Sequence, residues 1–299
     1  MTPPRVDAHQ HFWSLARGDY GWLTPDLVPL WRDFGPDDLA PLLARHAIRA
    51  SVAVQAAPTV AETLFLLDLA DRSSSIAGVV GWTDLEGVHA PAQISRLARR
   101  RKLVGLRPML QDLADERWVL RPALEPALRA MEEENLAFDA LVRPNHLPHL
   151  HEFVAAHQDL TVVVDHAAKP TTRRRPARFA GFESWAADMT SLARFPNTWC
   201  KLSGLVTEAE VGAATDDFAP VVDLLLATFG PRRLLWGSDW PVATIACDYS
   251  EWFAICERLL APLDREDLEA VLGGNATRCY RLASRIPELA HDNSPAGNP

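Results

Sequence analysis

The chain has 299 residues, of which 48% are hydrophobic and 23% charged, and its formal net charge is −9. This is the composition of a globular protein with a large core, and the length suits one α/β barrel of about 250 residues. The negative balance excludes nucleic acid and anionic membrane as natural partners.

The four cysteines, Cys200, Cys247, Cys256 and Cys279, form no Cys-x-x-Cys pair and no dense framework. They point to a reducing cytoplasm. The N-terminus lacks a charged-then-apolar leader, and no apolar run approaches the roughly 20 residues of a spanning helix.

The first predicted element is a strand within Arg5-Val6-Asp7-Ala8-His9-Gln10-His11-Phe12-Trp13. Alternation along an extended strand sends His9 and His11 to one face, with Asp7 a further step below. Two imidazoles on one face suit a metal ion or a polarised carbonyl oxygen, yet an isolated pair is more often structural. Positions 18–34 read as a long loop carrying Tyr20, Trp22 and Trp31, a cover over one end of the domain. Leu39, Leu42, Leu43 and His46 follow at helical spacing.

Strand two is expected at 50–55, and Thr59 with Glu62 reads as a capping box opening the next helix. Strand three spans 76–83. The helix around Ile94 and Leu97 runs into Arg99-Arg100-Arg101-Lys102, a basic run read as a solvated C-terminus facing its own helix dipole. Leu103–Leu106 makes strand four and delivers Arg107-Pro108. A helix through Leu120, Leu124, Leu128 and Met131 leads to strand five at 137–142.

Strand six, 160–166, is nearly all apolar, as suits a parallel strand covered on both sides. Residues 171–179 are basic and read as a surface loop. Strand seven is 198–202 and strand eight 234–239. The stretch 287–299 is polar with Pro and Gly, and a disordered tail is expected there. Eight strands alternating with helices, without a linker, indicate a single-domain (β/α)8 TIM barrel over residues 1–286.

In such a barrel the C-terminal ends of the strands converge on one mouth. Polar residues fall at those ends: His9, His11, Gln55, Arg107, His166, Lys201, Ser203 and Asp239. Three histidines and an aspartate at the ends of apolar strands suit a catalytic site, because charged groups are rarely buried unless paired or coordinating. One divalent metal on His9, His11 and His166 would keep positions open for water and substrate. Asp239 would complete the shell or carry the proton of an attacking water. Arg107 has two readings, a grip on substrate or a partner for a buried acid such as Asp239. Lys201 reads as a salt-bridged residue near the rim rather than a carbamylated bridge, and Asp165 as structural, facing away from His166. No G-x-G-x-x-G, Walker or G-x-S-x-G motif is present.

Together, Val6–Trp13, the Arg17–Leu23 loop, Val163–Pro170, Cys200–Leu205 and Trp236–Pro241 resemble the amidohydrolase superfamily. Within it they are most similar to the amidohydrolase 2 branch of sugar lactonases, the L-fuconolactone and L-rhamnonolactone hydrolases. The start of the last helix, Gly273–Tyr280, is similar too, with Cys279 where the family pattern has an aromatic. The resemblance implies a distorted barrel that hydrolyses a small sugar-acid lactone. Asp239 would be the general acid/base, and His9, His11 and His166 metal ligands or carbonyl-polarising groups. The metal would be zinc or manganese, with metal-independent action as the other option. Gln55, Arg107, Tyr20 and Trp240 are the expected substrate-binding residues, and a monomer or homodimer is expected. The alternative in the same superfamily is metal-dependent non-oxidative decarboxylation. A phosphoesterase beginning with His-x-His lacks its further His/Glu ligands here.

Overall fold

The computed structural model describes residues 3–171, 181–210 and 212–285. Eight parallel strands run β1 (Arg5–Gln10), β2 (Ile48–Val54), β3 (Ile76–Gly81), β4 (Leu103–Leu106), β5 (Ala137–Ala140), β6 (Val162–Val164), β7 (Thr198–Leu202) and β8 (Leu234–Trp236), hydrogen-bonded in that order. Between them lie α1 (Pro36–Arg45), α2 (Val60–Arg72), α3 (Ala90–Ala98), α4 (Glu125–Glu133), α5 (Leu147–Ala156), α6 (Phe182–Leu192), α7 (Thr215–Thr228) and α8 (Tyr249–Leu260). This is the expected (β/α)8 barrel. Val6, Ala8, Val52, Val80, Val163 and Leu235 fill its interior, and the opposite strand faces pack under the helices. Burying each of these valine and leucine side chains contributes roughly 1.5–3 kcal/mol.

The barrel closes at one end only. There the His11 N–H donates to Trp240 O at 2.7 Å, and the Asp239 N–H to His9 O at 2.8 Å. At the other end, the turn before α9 (Asn275–Cys279) packs against β1 and β8, and Ala276, Cys279 and Tyr280 join the interior cluster. A Cβ on Gly273 would lie 2.1 Å from Pro4 O, so only glycine allows this close approach. That wedge is the distortion.

Several elements depart from expectation. Strands six and eight stop at Val164 and Trp236, because the chain then enters left-handed backbone at His166 and Asp239. The expected helix from Leu120 begins only at Glu125, since Pro122 and Pro126 break its start into short 3-10 turns. Thr59 caps α2 by accepting the Glu62 N–H, but the Glu62 carboxylate turns instead to the N–H groups of Ala56 and Ala57. The basic run is not simply solvated. Arg100 pairs with Asp68 and Asp71, and Lys102 donates to Ala70 O and Ser73 O, capping α2 rather than α3. The expected loop at 172–179 and the tail at 287–299 lie outside the described residues. Among the described residues, no helix is long and apolar enough to cross a membrane.

Candidate active site

The site begins with a bulge in β1. Asp7 pairs with Ser51 and Gln10 with Ala53, so three steps along β1 match two along β2. One extra residue re-aims every side chain beyond it. Upstream, Val6 and Ala8 point into the barrel, while Asp7 points outward to α8 and accepts from the Tyr249 hydroxyl at 3.1 Å. Downstream, His9 and His11 point inward. Asp7 is therefore not on the histidine face, as simple alternation suggested.

His166 reaches the interior by a different device. Alternation along β6 carries Val163 and then Asp165 inward, which corrects the reading of Asp165 as outward-facing. The backbone next passes through four consecutive left-handed residues, His166, Ala167, Ala168 and Lys169, with φ of 52°, 51°, 61° and 53°. None is glycine, so the turn is strained, and strain of this kind concentrates at functional sites. It brings His166 round so that its Nδ1 lies 2.9 Å from Ser203 Oγ. Asp239 is also left-handed, at φ 56°.

These turns converge on one carboxylate oxygen. Asp239 Oδ1 lies 3.3 Å from His11 Nε2, 3.6 Å from His9 Nε2 and 4.0 Å from His166 Nε2. Burial alone would raise the Asp239 pKa, but the facing imidazoles of His166, His11 and His9 outweigh it and hold the group below the usual carboxylate range. Burial lowers the His166 pKa to about 4, so that ring is neutral near pH 7.

Beneath the histidines sits Lys201, fully buried rather than at the rim. Its Nζ lies 2.5 Å from Asp139 Oδ2, 2.9 Å from Asp165 Oδ1 and 3.0 Å from His9 Nδ1. Burial opposes its charge, yet Asp139 and Asp165 overcome this and hold its pKa above the ordinary lysine value. Held between two carboxylates, it is a structural cation and not a carbamate. Arg107 has the acid partner that was one of its readings, but that acid is Asp165, at 3.2 Å, and not Asp239. Its other amino group donates to Gln55 O.

A cavity of about 260 Å³ opens above this floor. His11, Arg107, His166 and Asp239 line it, together with Trp22, Met109, Gln111, Lys169 and Thr207. His9 lies just below, with no exposed surface. Three expected substrate contacts are not on its wall. Gln55 donates to Arg107 O at 2.8 Å. Tyr20 is buried in the lid beside Trp13, and Trp240 packs between Phe12 and Phe34. The lid residue that reaches the cavity is Trp22, anchored by its indole N–H on Ala56 O at 2.7 Å. Sequence reasoning passed over Trp22 and Lys169 as wall residues, although both lie in stretches it had singled out.

The donor set suits a cation. His9, His166 and Asp239 offer ligand atoms within 4.8 Å of one another. His11 donates from Nδ1 to Val54 O at 2.8 Å, which turns its Nε2 lone pair toward Asp239, as in metal-bound imidazoles.

The chain matches the Amidohydro_2 family, described as amidohydrolase, over residues 6–282. It belongs to that family. It is 48% identical over 282 residues to an L-fucono-1,5-lactonase of Burkholderia ambifaria, covering 93% of this chain and 96% of the relative. With the L-fucono-1,5-lactonase of Burkholderia multivorans the identity is 40% over 291 residues, covering 94% and 97%. A crystal structure of an amidohydrolase from Burkholderia multivorans with bound zinc superposes with a TM-score of 0.86 at 38% identity, covering 93% of this chain and 99% of that one. The chain is thus similar over nearly its whole length to two lactonases, and its barrel to that of a zinc-bound relative.

Proposed function

We propose that this amidohydrolase opens a small sugar-acid lactone of the L-fuconolactone type, acting as a carboxylic ester hydrolase. The observation that carries the reading is the convergence of three imidazoles on Asp239 Oδ1 at the floor of a small cavity. The names of the two similar lactonases support the same chemistry. The cavity, at about 260 Å³, is smaller than the roughly 300–1,000 Å³ of drug-sized ligand pockets, which suits a single sugar ring.

Asp239 accepts a proton from water as the oxygen attacks the lactone carbonyl, then returns it to the leaving ring oxygen. Its low proton affinity makes the second transfer easy and places the cost on the first, which must be concerted with C–O bond formation. The Ser203 hydroxyl can donate to or accept from His166 Nδ1, so that His166 presents its Nε2–H to the developing oxyanion when no cation is bound and its Nε2 lone pair when one is. Such donors contribute several kcal/mol when aimed at charge that appears only in the transition state. Arg107, Trp22 and Lys169 hold the ring and its hydroxyls. Gln55, Tyr20 and Trp240 act one layer behind, by fixing Arg107 and the lid. A divalent cation, zinc or manganese, would be held by Asp239 and the imidazoles that face it and, when bound, would polarise the carbonyl.

All four cysteines are free, which supports a reducing compartment such as the cytoplasm. The test is a stereochemical panel of aldonolactones, followed by acid release with and without chelator, beside a panel of hydroxybenzoates. Highest kcat/KM on an L-fuconolactone is expected. Loss of carboxylate from a benzoate with no lactone turnover would replace this reading with decarboxylation.

A further inference from the structure

Lys201 Nζ and His9 Nδ1 stand 3.0 Å apart, both fully buried. An ammonium has only donors, so Nδ1 must accept. The other polar atom near Nδ1, Asp165 Oδ1, is 3.6 Å away, beyond hydrogen-bond reach, and its nearer neighbour is Lys201 at 2.9 Å. A neutral imidazole carries one ring proton, and an accepting Nδ1 cannot be the atom that holds it. With Nδ1 accepting, that proton is on Nε2. Nε2 lies 3.2 Å from His11 Nε2, whose lone pair is free because His11 Nδ1 donates to Val54 O. The hydrogen bonds then run in one direction, from Lys201 through His9 and His11 to Val54 O, and each ring has the tautomer its neighbour requires.

We infer that Lys201 is a positioning residue that fixes His9 as the Nε2–H tautomer, so that His9 presents a proton donor, not a ligand lone pair, to the floor of the site. For His9 to ligate through Nε2, its proton would have to move to Nδ1 and face the Lys201 ammonium, donor against donor. A cation at this site accordingly takes no lone pair from His9. This distinguishes the two histidines of the opening motif, which the sequence alone treats as equivalent. It depends on no substrate and stands or falls apart from the lactonase reading.

The test is long-range 1H–15N correlation of histidine-labelled, chelator-dialysed protein, with His9 assigned by the spectrum of His9→Asn. A protonated-type Nε2 and a bare-type Nδ1 are expected for His9, and the reverse pattern overturns the inference. On adding one equivalent of zinc, the His9 pattern should persist while the Nε2 signal of His166 shifts. Loss of the His9 Nε2 proton on zinc addition overturns it as well. Lys201→Met removes the only donor facing Nδ1 among the described residues and lets that atom turn its own proton to Asp165. If the variant folds, zinc should bind about 10–100-fold tighter, because His9 then becomes a ligand. Unchanged zinc affinity in a folded variant counts against the role. Should the variant not fold, the wild-type spectra decide.

Discussion

Asp7 Oδ1 accepts the backbone N–H of Ser238 at 2.9 Å, although the two residues are 231 positions apart. The same oxygen accepts the His9 N–H at 3.2 Å, and Oδ2 takes the Tyr249 hydroxyl at 3.1 Å. One outward-facing carboxylate therefore holds the β1 bulge that aims His9 and the segment that delivers Asp239. Asp7→Ala leaves three buried donors without this acceptor, each costing about 1–3 kcal/mol. Urea unfolding should show a loss of at least about 2 kcal/mol, with Asp7→Asn losing clearly less because one oxygen remains. Equal losses in the two variants would show that the shared acceptor is not what matters.

How much of this was legible in the sequence depends on what each residue's direction rests on. The barrel followed from the alternation of apolar strands and amphipathic helices, and two strands matched to the residue because their ends are marked by Arg107-Pro108 and Ser203-Gly204. The four residues of the floor were legible because charged groups at the ends of apolar strands need a reason. What alternation could not supply was direction after a bulge or a left-handed turn. Alternation counted from the histidines puts both Asp7 and Asp165 on the wrong face, whereas counting from Val6 and Val163 puts them on the right one. Lys201 was noticed, but its depth depends on Asp139 and Asp165 meeting it across the barrel, which is a tertiary fact.

Asp239→Asn keeps the shape of the side chain and removes its ability to take a proton. Loss of a positioned acid/base group costs about 10²–10⁴-fold, so kcat on the best lactone should fall in that range with KM little changed. Because the facing imidazoles keep Asp239 ionised well below the usual carboxylate range, its own titration should not appear in the pH–rate profile above about pH 4. A variant keeping more than about a tenth of wild-type kcat would remove Asp239 from the proton-transfer role.

His166 makes stability fall on the acid side. Its pKa is lowered to about 4 by burial, against an ordinary histidine value of 6.5, so between those values the unfolded chain binds more protons than the folded one. Stability attributable to this group is thus complete above pH 6.5 and is lost as pH falls toward 4. The difference in unfolding free energy between wild type and His166→Gln should shift against wild type by about 3 kcal/mol over that interval. Asp7 works in the opposite sense. Burial raises it from 3.8 to about 6, so its contribution is complete below pH 3.8 and declines as pH rises through 6. A flat difference curve for His166→Gln between pH 4 and 6.5 would mean the ring is not held neutral.

Gly204 lies directly against the His166 ring. Its φ is +62°, and a Cβ there would lie 2.4 Å from His166 Nδ1 and 2.8 Å from Cγ. Both the conformation and the space therefore require glycine, and the atom in the way is a ring held by Ser203 rather than a flexible chain end. Gly204→Ala must either push the imidazole off the Asp239 cluster or unwind the turn after β7. Left-handed strain alone costs of order 1–3 kcal/mol, and a displacement of about 1 Å at a catalytic group costs on the order of 10²-fold in rate. The expected phenotype is a folded but less stable protein with kcat lowered at least about 100-fold. Ser203→Ala should do less, because it removes one hydrogen bond and leaves the ring in place. If Ser203→Ala proved the more damaging of the two, the hydroxyl and not the glycine's open space would be what sets the His166 orientation.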